Sequence, residues 1–349
     1  MKKRALSILL IIITLAASVS ACGKKKIDED KRIKVGITMY DEFDPFTNTI
    51  ASKIQEKLYE LGNEAGLDVI CDVTYSNKSQ MVQNDQVQDF IHKDYDAICV
   101  NLVDRTDAMQ IIDMAKNANV PVVFFNRELV KEDLERWDKL YYVGARPQQS
   151  GELQGALVVN ALSDAKRFEQ IDFNSDGKIQ YVMLEGEAGH QDALIRTKVS
   201  VEEIEKAGYE LDKLGDEIAN WSREQAETKM TSILAGYPWQ VELVIANDDN
   251  IALGALDALE NYGVPMLPLI VGVNGNKEVM ELIKEGKIEG TVYNDGITKG
   301  ETIGTMAFYL GQNKRIPSDI EILNNKYVYV SYEMINRDNV DSFLEKATY

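Results

Sequence analysis

Residues 172–180, with the sequence DFNSDGKIQ, place oxygen-bearing groups at the spacing of a calcium-binding EF-hand loop. An EF-hand has a bidentate glutamate at position 12, whereas Met183 stands there, inside the apolar run YVML. The loop is therefore predicted to bind Ca²⁺ and to lead into a strand, which argues against an EF-hand helix pair. The matching residues, at positions 1, 3, 5, 6, 7 and 9, are Asp172, Asn174, Asp176, Gly177, Lys178 through its carbonyl, and Gln180.

A second group of residues combines carboxylates, amides, a histidine, an arginine and two aromatic rings, mostly at the ends of predicted strands. Ligands of open α/β sheets bind outside the carboxyl ends of the strands, so these side chains are predicted to share one site. The combination suits a pyranose, whose hydroxyls form hydrogen bonds while its ring faces stack on aromatic rings. The residues are Asp44, Phe46, Asn126, His190, Asp192, Arg196, Trp221, Asp248, Asn274 and Asn294.

Each of these residues also has a plainer explanation when taken alone. Asn and Asp at strand ends often form turns or helix N-caps, Phe46 and Trp221 could be core aromatics, and His190 could be a surface histidine. Their joint recurrence at strand ends in both halves favours a binding site. Asp192 and Arg196 lie four residues apart on one helix face, so they are predicted to pair and to balance charge around a neutral sugar.

Strand-like and helix-like segments alternate along the 349 residues, a length that suits two lobes. The strands are continuous apolar runs, as parallel strands covered on both faces require, so an α/β fold of two doubly wound parallel-sheet lobes is predicted. Strands are expected at 33–40, 67–75, 95–101, 120–126, 139–147, 179–185, 241–248, 267–274 and 288–295, with a β-rich stretch at 325–335. Helices are expected at 47–64, 80–92, 106–118, 149–162, 192–207, 222–235, 250–262, 276–286 and within 296–312.

The amino-terminal residues have the pattern of a bacterial lipoprotein signal peptide. Lys2, Lys3 and Arg4 precede a short apolar run, and small residues lead to Cys22, the predicted lipidation site. The run is too short to span a bilayer, so cleavage before Cys22 is favoured over an uncleaved anchor. Residues 22–32 are polar and charged and are predicted to be a flexible tether between lipid and protein, on the extracytoplasmic face of the cell membrane.

The charge balance and the cysteines limit the possible partners. Removal of residues 1–21 takes away three positive charges, which changes the formal net charge from -19 to -22 and argues against nucleic acid as a partner. Cys71 and Cys99 both lie in apolar runs, so buried free thiols are favoured over a disulfide.

These motifs together resemble the galactose/glucose-binding proteins of bacterial ABC sugar importers, which belong to the ribose-type class of periplasmic binding proteins. The resemblance covers essentially all of residues 33–349. It is carried by NLVD (101–104), VPVVFFN (120–126), YYVG (141–144), SGELQG (150–155), DFNSDGKIQ (172–180), EGEAGHQDA (185–193), VIAND (244–248), ALGALDAL (252–259) and GTVYND (290–295).

The resemblance implies a role for each site residue. Phe46 and Trp221 would hold the sugar ring between them, while the other residues hydrogen-bond its hydroxyls, and Glu242 would complete the calcium site. Two positions depart from the family's pattern, since Asp248 stands where asparagine is usual and Asn274 where aspartate is usual. This exchange moves one acceptor-only group across the site, so glucose, galactose and another aldose all remain open.

The resemblance also implies a three-strand hinge and a monomeric receptor that closes around one monosaccharide and delivers it to a membrane permease. The N-terminal lobe would comprise residues 33–145 and 296–330, and the C-terminal lobe residues 146–295 and 331–349. A chemoreceptor or sensor kinase is the alternative partner for the closed form. A glycosidase is disfavoured because Arg196, His190 and the amides favour ionised carboxylates. A sugar-responsive repressor is disfavoured because the signal peptide occupies the place of a DNA-binding helix-turn-helix.

Overall fold

The structure, a computed structural model, describes residues 31–345, which form two α/β lobes. The predicted signal peptide, the lipidation site Cys22 and most of the tether lie outside the described residues, as do residues 346–349. Each lobe is built on a six-stranded sheet. None of the helices within residues 31–345 combines the length and the apolar character that a membrane crossing requires.

The sheet of the N-terminal lobe is entirely parallel. Its strands are β1 (Arg32–Met39), β2 (Asp68–Tyr75), β3 (Ala97–Val100), β4 (Val122–Phe125), β5 (Leu140–Gly144) and β11 (Tyr327–Tyr329). They lie in the order β11-β5-β4-β3-β1-β2. Because β3, β4 and most of β1 and β5 are buried on both faces, the continuous apolar runs of the sequence correspond to covered parallel strands.

The sheet of the C-terminal lobe repeats this plan with one antiparallel edge. Its strands are β6 (Lys178–Glu185), β7 (Glu210–Ile218), β8 (Leu243–Ala246), β9 (Leu269–Asn274), β10 (Gly290–Tyr293) and β12 (Glu333–Asn336). Their order is β12-β10-β9-β8-β6-β7, and only the β10–β12 pair is antiparallel. The predicted pair of doubly wound, mostly parallel lobes is confirmed.

Helices cover both faces of each sheet. In the N-terminal lobe they are α1 (Pro45–Ala65), α2 (Gln80–His92), α3 (Met109–Ala118), α4 (Lys131–Leu134) and α11 (Gly296–Gly311). In the C-terminal lobe they are α5 (Pro147–Leu162), α6 (Ala165–Ile171), α7 (Gln191–Lys206), α8 (Arg223–Gly236), α9 (Asp249–Tyr262), α10 (Lys277–Glu285) and α12 (Val340–Leu344). Two apolar clusters fill each lobe, one on either side of its sheet. Cys71 and Cys99 are buried as free thiols.

The chain passes between the lobes at three places. It leaves the first sheet after β5 and enters α5, which packs on the second sheet. It returns after β10 into α11, which packs on the first sheet, and it crosses again between β11 and β12. These three passages are adjacent to residues 145, 295 and 330, where the family resemblance implied the lobe boundaries.

Strand β7 was not expected from the sequence, which suggested only helices between residues 192 and 235. Its residues, ELDKLGDEI, lie at the edge of the second sheet and are largely exposed or half-buried. An edge strand with charged side chains lacks the continuous apolar run that marks a central parallel strand. The helix predicted at 106–118 begins later, at Met109.

Candidate functional site

A cavity of about 550 Å³ lies between the two lobes, at the carboxyl ends of the parallel strands. All ten residues that the sequence analysis grouped into one site line this cavity. The N-terminal lobe contributes Asp44, Phe46 and Asn126, and the C-terminal lobe contributes the remaining seven. The two aromatic rings of this set therefore come from opposite lobes. The cavity is also lined by Tyr40, Asp41, Phe43, Lys78, Arg127, Asn220 and several polar residues at the start of α8.

Asp44 has a structural role as well as a place in the cavity. It is the N-cap of α1, where its carboxylate accepts from the Thr47 N–H at 3.1 Å, and Pro45 follows at the first helical position. The Tyr40 hydroxyl donates to its other oxygen at 2.7 Å. Burial, together with the Asp44 charge, raises the pKa of Tyr40, so this hydroxyl stays a donor. These bonds fix the carboxylate at the cavity wall.

Three of the ten residues have left-handed backbone conformations. Asn126 has φ 64°, Trp221 has φ 62° and Asn274 has φ 121°. Asparagine tolerates positive φ better than most residues, whereas a bulky residue such as tryptophan rarely adopts it. Strained conformations of this kind concentrate at functional sites, where they aim side chains that regular structure would direct elsewhere.

Arg196, on the second turn of α7, is 4% exposed and makes three contacts in the C-terminal lobe. Its Nε donates to the Ser150 hydroxyl at 2.8 Å, its Nη1 to the Asn247 carbonyl at 2.6 Å, and its Nη2 to the Tyr332 hydroxyl at 3.4 Å. Such contacts to neutral groups leave the positive charge available to the cavity.

The prediction that Asp192 and Arg196 form an ion pair is wrong. No ion pair joins these two residues among those found in residues 31–345, because the guanidinium is taken up by Ser150, Asn247 and Tyr332. The two residues still influence each other through space. Burial raises the pKa of Asp192, and the Arg196 charge opposes that rise.

Trp221 is seated directly over Gly186, which follows β6. A Cβ atom at position 186 would lie 1.9 Å from the outer edge of the indole ring, so only glycine fits beneath it. The His190 ring meets the indole edge-on, with the ring centroids 5.1 Å apart. Burial and the nearby Arg127 and Arg196 lower the pKa of His190 well below its usual range, so the imidazole is neutral. A neutral imidazole both donates and accepts hydrogen bonds.

Arg127, which was not predicted as a site residue, links the two lobes. Its guanidinium stacks 3.9 Å above the Tyr40 ring centroid, and its Nη1 donates to the Val103 carbonyl at 2.9 Å. Its Nη2 lies 2.6 Å from the carboxylate of Glu187, in the loop after β6 of the C-terminal lobe. This ion pair therefore spans the cleft. Arg127 directly follows Asn126 at the end of a strand, and this position in the sequence could have identified it as a site residue.

Buried titratable groups lie at the cavity wall and behind it. Burial raises the pKa of Asp248 to about 8 and that of Asp249 to about 7. Asp248 caps α9 by accepting from the Ile251 N–H at 2.8 Å. Lys299, from α11, is 2% exposed, and burial lowers its pKa to about 7. Its ammonium donates to the side-chain oxygen of Asn294. Lys299 was also missed, since a lysine within a helix is usually solvated.

The loop with EF-hand spacing folds around its own side chains. The Asp176 N–H donates to Asp172 at 3.1 Å and to Asn174 at 2.8 Å, and the Asn174 amide donates to Gln180 at 3.1 Å. Gly177, at position 6 of the loop, has φ 82°, a conformation that favours glycine. Lys178 begins β6, and its N–H donates to Asp176 at 2.8 Å.

Glu242, immediately before β8, closes the far side of this loop. Its carboxylate accepts from the Phe173 N–H at 2.6 Å and from the Gln180 N–H at 2.9 Å, and it is 1% exposed. The oxygen groups of the loop and of Glu242 are of the hard type that Ca²⁺ prefers, and in this structure they accept from backbone N–H groups. The set comprises three carboxylates, two side-chain amides and one main-chain carbonyl. Within residues 31–345, no three His, Cys, Asp or Glu side chains are placed so that they could hold a metal ion together.

Comparisons with known proteins agree with this architecture. Residues 35–315 match the family described as the periplasmic binding protein domain. The chain is 33% identical over 336 residues to the D-galactose/methyl-galactoside binding periplasmic protein MglB of Haemophilus influenzae, across 96% of this chain and 98% of that protein.

Solved structures show the same fold. One is an ABC transporter solute binding protein from Bacillus halodurans with bound myo-inositol, which has a TM-score of 0.75 and 24% identity and covers 90% of this chain and 98% of that chain. Another is an ABC transporter periplasmic solute binding protein from Actinobacillus succinogenes with bound D-allose, which has a TM-score of 0.74 and 22% identity and covers 89% of this chain and 99% of that chain. The resemblance inferred from sequence motifs is confirmed, and so is the expectation of a solute receptor rather than an enzyme. The chain belongs to the periplasmic binding protein family.

Proposed function

We propose that this protein is an extracytoplasmic receptor that captures D-galactose or D-glucose between its lobes and delivers the sugar to the permease of an ABC importer. The observation that carries the proposal is the convergence of all ten predicted sugar-binding residues on one cavity between the lobes. The similarity to a galactose-binding protein along nearly the whole chain supports the choice of hexose.

The chemistry of the cavity fits a neutral hexose. Phe46 and Trp221 project from opposite lobes, so closure would bring a ring onto each face of the sugar. Carboxylates, amides, the neutral His190 and Arg196 supply donors and acceptors for its hydroxyls. A mismatched hydroxyl would leave a buried polar group unpaired, which costs about 1 to 3 kcal/mol, so the site would discriminate between stereoisomers.

The closure step follows from a ligand that touches both lobes. Such a ligand stabilises the closed arrangement only, and this difference in affinity shifts the population toward it. The three interlobe passages near residues 145, 295 and 330 would bend as the hinge. A permease, or alternatively a chemoreceptor or sensor kinase, would recognise the closed form of a monomeric receptor.

Another aldose is the second candidate ligand. Asp248 and Asn274 line the cavity in an exchanged arrangement relative to the family's usual pattern. Calorimetric titration with D-galactose, D-glucose, D-allose, D-ribose and myo-inositol tests both candidates. Micromolar or tighter binding of galactose or glucose is expected. Binding of another member of the panel, with no heat from either hexose, would reject the galactose/glucose assignment.

Calcium is proposed as a structural ion of the C-terminal lobe. Asp172, Asn174, Asp176, the Lys178 carbonyl, Gln180 and Glu242 would hold it, and the ion would add positive charge to a loop rich in oxygen. Its expected role is to join the loop before β6 to the start of β8. The loop residues are absent from the cavity lining, so the ion would not touch the sugar.

Lipid anchoring through Cys22 is proposed from the sequence alone. A hydrophobic modification at the mature amino terminus would keep the receptor at the outer surface of the cell membrane, close to its permease. Metabolic labelling with a fatty-acid analogue, compared between the wild-type protein and Cys22→Ala, tests this proposal. Label in both proteins, or in neither, would reject it.

A further inference from the structure

A line of three polar side chains runs from the protein interior to the cavity wall. The Lys299 ammonium donates to the Asn294 side-chain oxygen, and the Asn294 Nδ2 donates to the Asn274 Oδ1 at 3.1 Å. Asn294 and Asn274 both line the cavity. Lys299 lies behind them, with its Nζ 5.4 Å from the ring centroids of both Phe46 and Tyr332.

The donor-only ammonium of Lys299 fixes the orientation of the side-chain amides of Asn294 and Asn274. A lysine ammonium has donors and no acceptor, so the Asn294 atom that faces it must be the carbonyl oxygen. The Asn294 NH₂ group must then point the other way, where it meets Asn274. Because an NH₂ group needs an acceptor, Asn274 must turn its own oxygen toward Asn294, which leaves the Asn274 NH₂ group for the cavity.

We propose that Lys299 is a positioning residue that determines specificity, because it makes Asn274 a hydrogen-bond donor toward the bound sugar. This proposal rests on the proposed function and deepens it. The preferred ligand is a hexose that offers an oxygen lone pair to Asn274. An aspartate at position 274 would instead require a hydroxyl proton from the sugar, because an ionised carboxylate only accepts hydrogen bonds.

The surroundings of Lys299 keep its charge sensitive to pH. The charged groups that influence it are Asp192 and Arg196 on α7 and Asp295, the N-cap of α11. Burial lowers the Lys299 pKa to about 7, while the two carboxylates oppose this shift. Below that pH the ammonium only donates, whereas the neutral amine above it also accepts and no longer fixes the Asn294 amide.

Paired sugar analogues can read the direction of the Asn274 hydrogen bond. A monodeoxyfluoro sugar retains a weak acceptor at the substituted carbon, whereas the monodeoxy sugar has neither donor nor acceptor there. Calorimetry near pH 6 would compare both analogues of D-galactose at each of C2, C3, C4 and C6, or of D-glucose if only glucose binds. At the carbon whose oxygen accepts from Asn274, the fluoro analogue is expected to bind about fivefold more tightly than the deoxy analogue.

Two variants then test the role of Lys299. In Lys299→Met the fluoro preference is expected to fall below about twofold, and in Asn274→Asp it is expected to disappear or reverse. Lys299→Arg keeps a donor-only cation and is the matched control, in which the preference is retained. Asn274→Asp keeps the test available if Lys299→Met does not fold.

The outcomes separate this inference from the proposed function. If the wild-type protein binds neither D-galactose nor D-glucose, the proposed function fails and the inference fails with it. If the wild-type protein binds a hexose but shows no fluoro preference at any position, the inference alone is overturned. The same conclusion follows if the preference is unchanged in the folded Lys299→Met variant, or in Asn274→Asp if Lys299→Met does not fold.

Discussion

The guanidinium of Arg127 lies 2.6 Å from the carboxylate of Glu187, and the two residues belong to opposite lobes. Arg127 is held in place by the Tyr40 ring beneath it and by the Val103 carbonyl, so its end of the pair is fixed before the lobes approach. The ion pair can form only when the lobes are close together. It therefore stabilises the closed arrangement in which the cavity is surrounded on both sides.

Glu187→Gln is expected to weaken sugar binding by about threefold to tenfold. Glu187 is about one third exposed, so water screens the pair and its contribution should be close to 1 kcal/mol. The loss should appear mainly as faster sugar release in stopped-flow fluorescence, since the closed form would open more readily. Glu135→Gln breaks an exposed pair with Lys131 away from the cleft and is the matched control. Equal release rates in wild-type protein and Glu187→Gln would contradict this expectation.

Gly186→Ala is expected to weaken sugar binding by at least about tenfold while the protein remains folded. The new methyl group would overlap the Trp221 ring and push it from its position at the cavity wall. Titration followed by tryptophan fluorescence measures the change. Gly236→Ala is the control, because a Cβ atom there meets no neighbouring atom within 4 Å. Wild-type affinity in Gly186→Ala would show that the position of Trp221 does not matter for binding.

Asp248→Asn is expected to stabilise the sugar-free protein near pH 8 and to change its stability little near pH 4. Burial raises the pKa of Asp248 from 3.8 to about 8, so the folded state retains a proton that the unfolded chain releases. The contribution of Asp248 to the stability of the wild-type protein therefore falls as pH rises from 3.8 to about 8. Asparagine has no such titration and still caps α9.

Melting temperatures of wild type and Asp248→Asn across this pH range measure the effect. The gap between the two proteins should widen by a few degrees as pH increases. Asp338→Asn, which removes an exposed carboxylate, is the control for a general change in net charge. A constant gap at all pH values would mean that Asp248 ionises normally in the folded protein.

Chelation of calcium is expected to lower the melting temperature by about 5 to 10 °C. An ion present at one hundred times its dissociation constant stabilises the folded state by about 2.7 kcal/mol. The melting temperature of a lobe of this size changes by about 2 to 4 °C for each kcal/mol. Glu242→Gln should remove most of this response, because the site loses one of its two buried carboxylates. Glu210→Gln, whose exposed carboxylate pairs with Lys178, should keep it. Identical melting curves with and without chelator would reject the calcium site.

The sequence predicted the lobes and most of the cavity because both depend on regular patterns. Continuous apolar runs mark the covered strands, and the parallel strands of a sheet bring their carboxyl ends to one edge, which is why Asp248, Asn274 and Asn294 meet there. Trp221 follows the strand β7, which was not predicted, so no predicted strand end marked its position, and its stacking role came from the family resemblance. The polar edge position of β7 removes the apolar signal that the other strands carry.

The residues that the sequence missed depend on tertiary contacts that spacing along the chain does not reveal. Lys299 lies in a helix of the N-terminal lobe but bonds to Asn294 at the end of a strand of the C-terminal lobe. Helical spacing alone predicts a solvated lysine there, and only the passage of the chain between the lobes makes it buried. The expected Asp192–Arg196 pair failed for a similar reason, since Ser150, Asn247 and Tyr332 compete for the guanidinium.

The central claim is that a hexose is held between two aromatic rings from opposite lobes. Calorimetric titration of D-galactose and D-glucose into wild-type protein, Phe46→Ala, Trp221→Ala and the surface control Trp239→Ala tests it most directly. Micromolar or tighter wild-type binding is expected for at least one hexose, with a loss of at least about tenfold in each cavity variant and no loss in Trp239→Ala. Binding of neither hexose to the wild-type protein, or unchanged affinity in Phe46→Ala and Trp221→Ala, would contradict it.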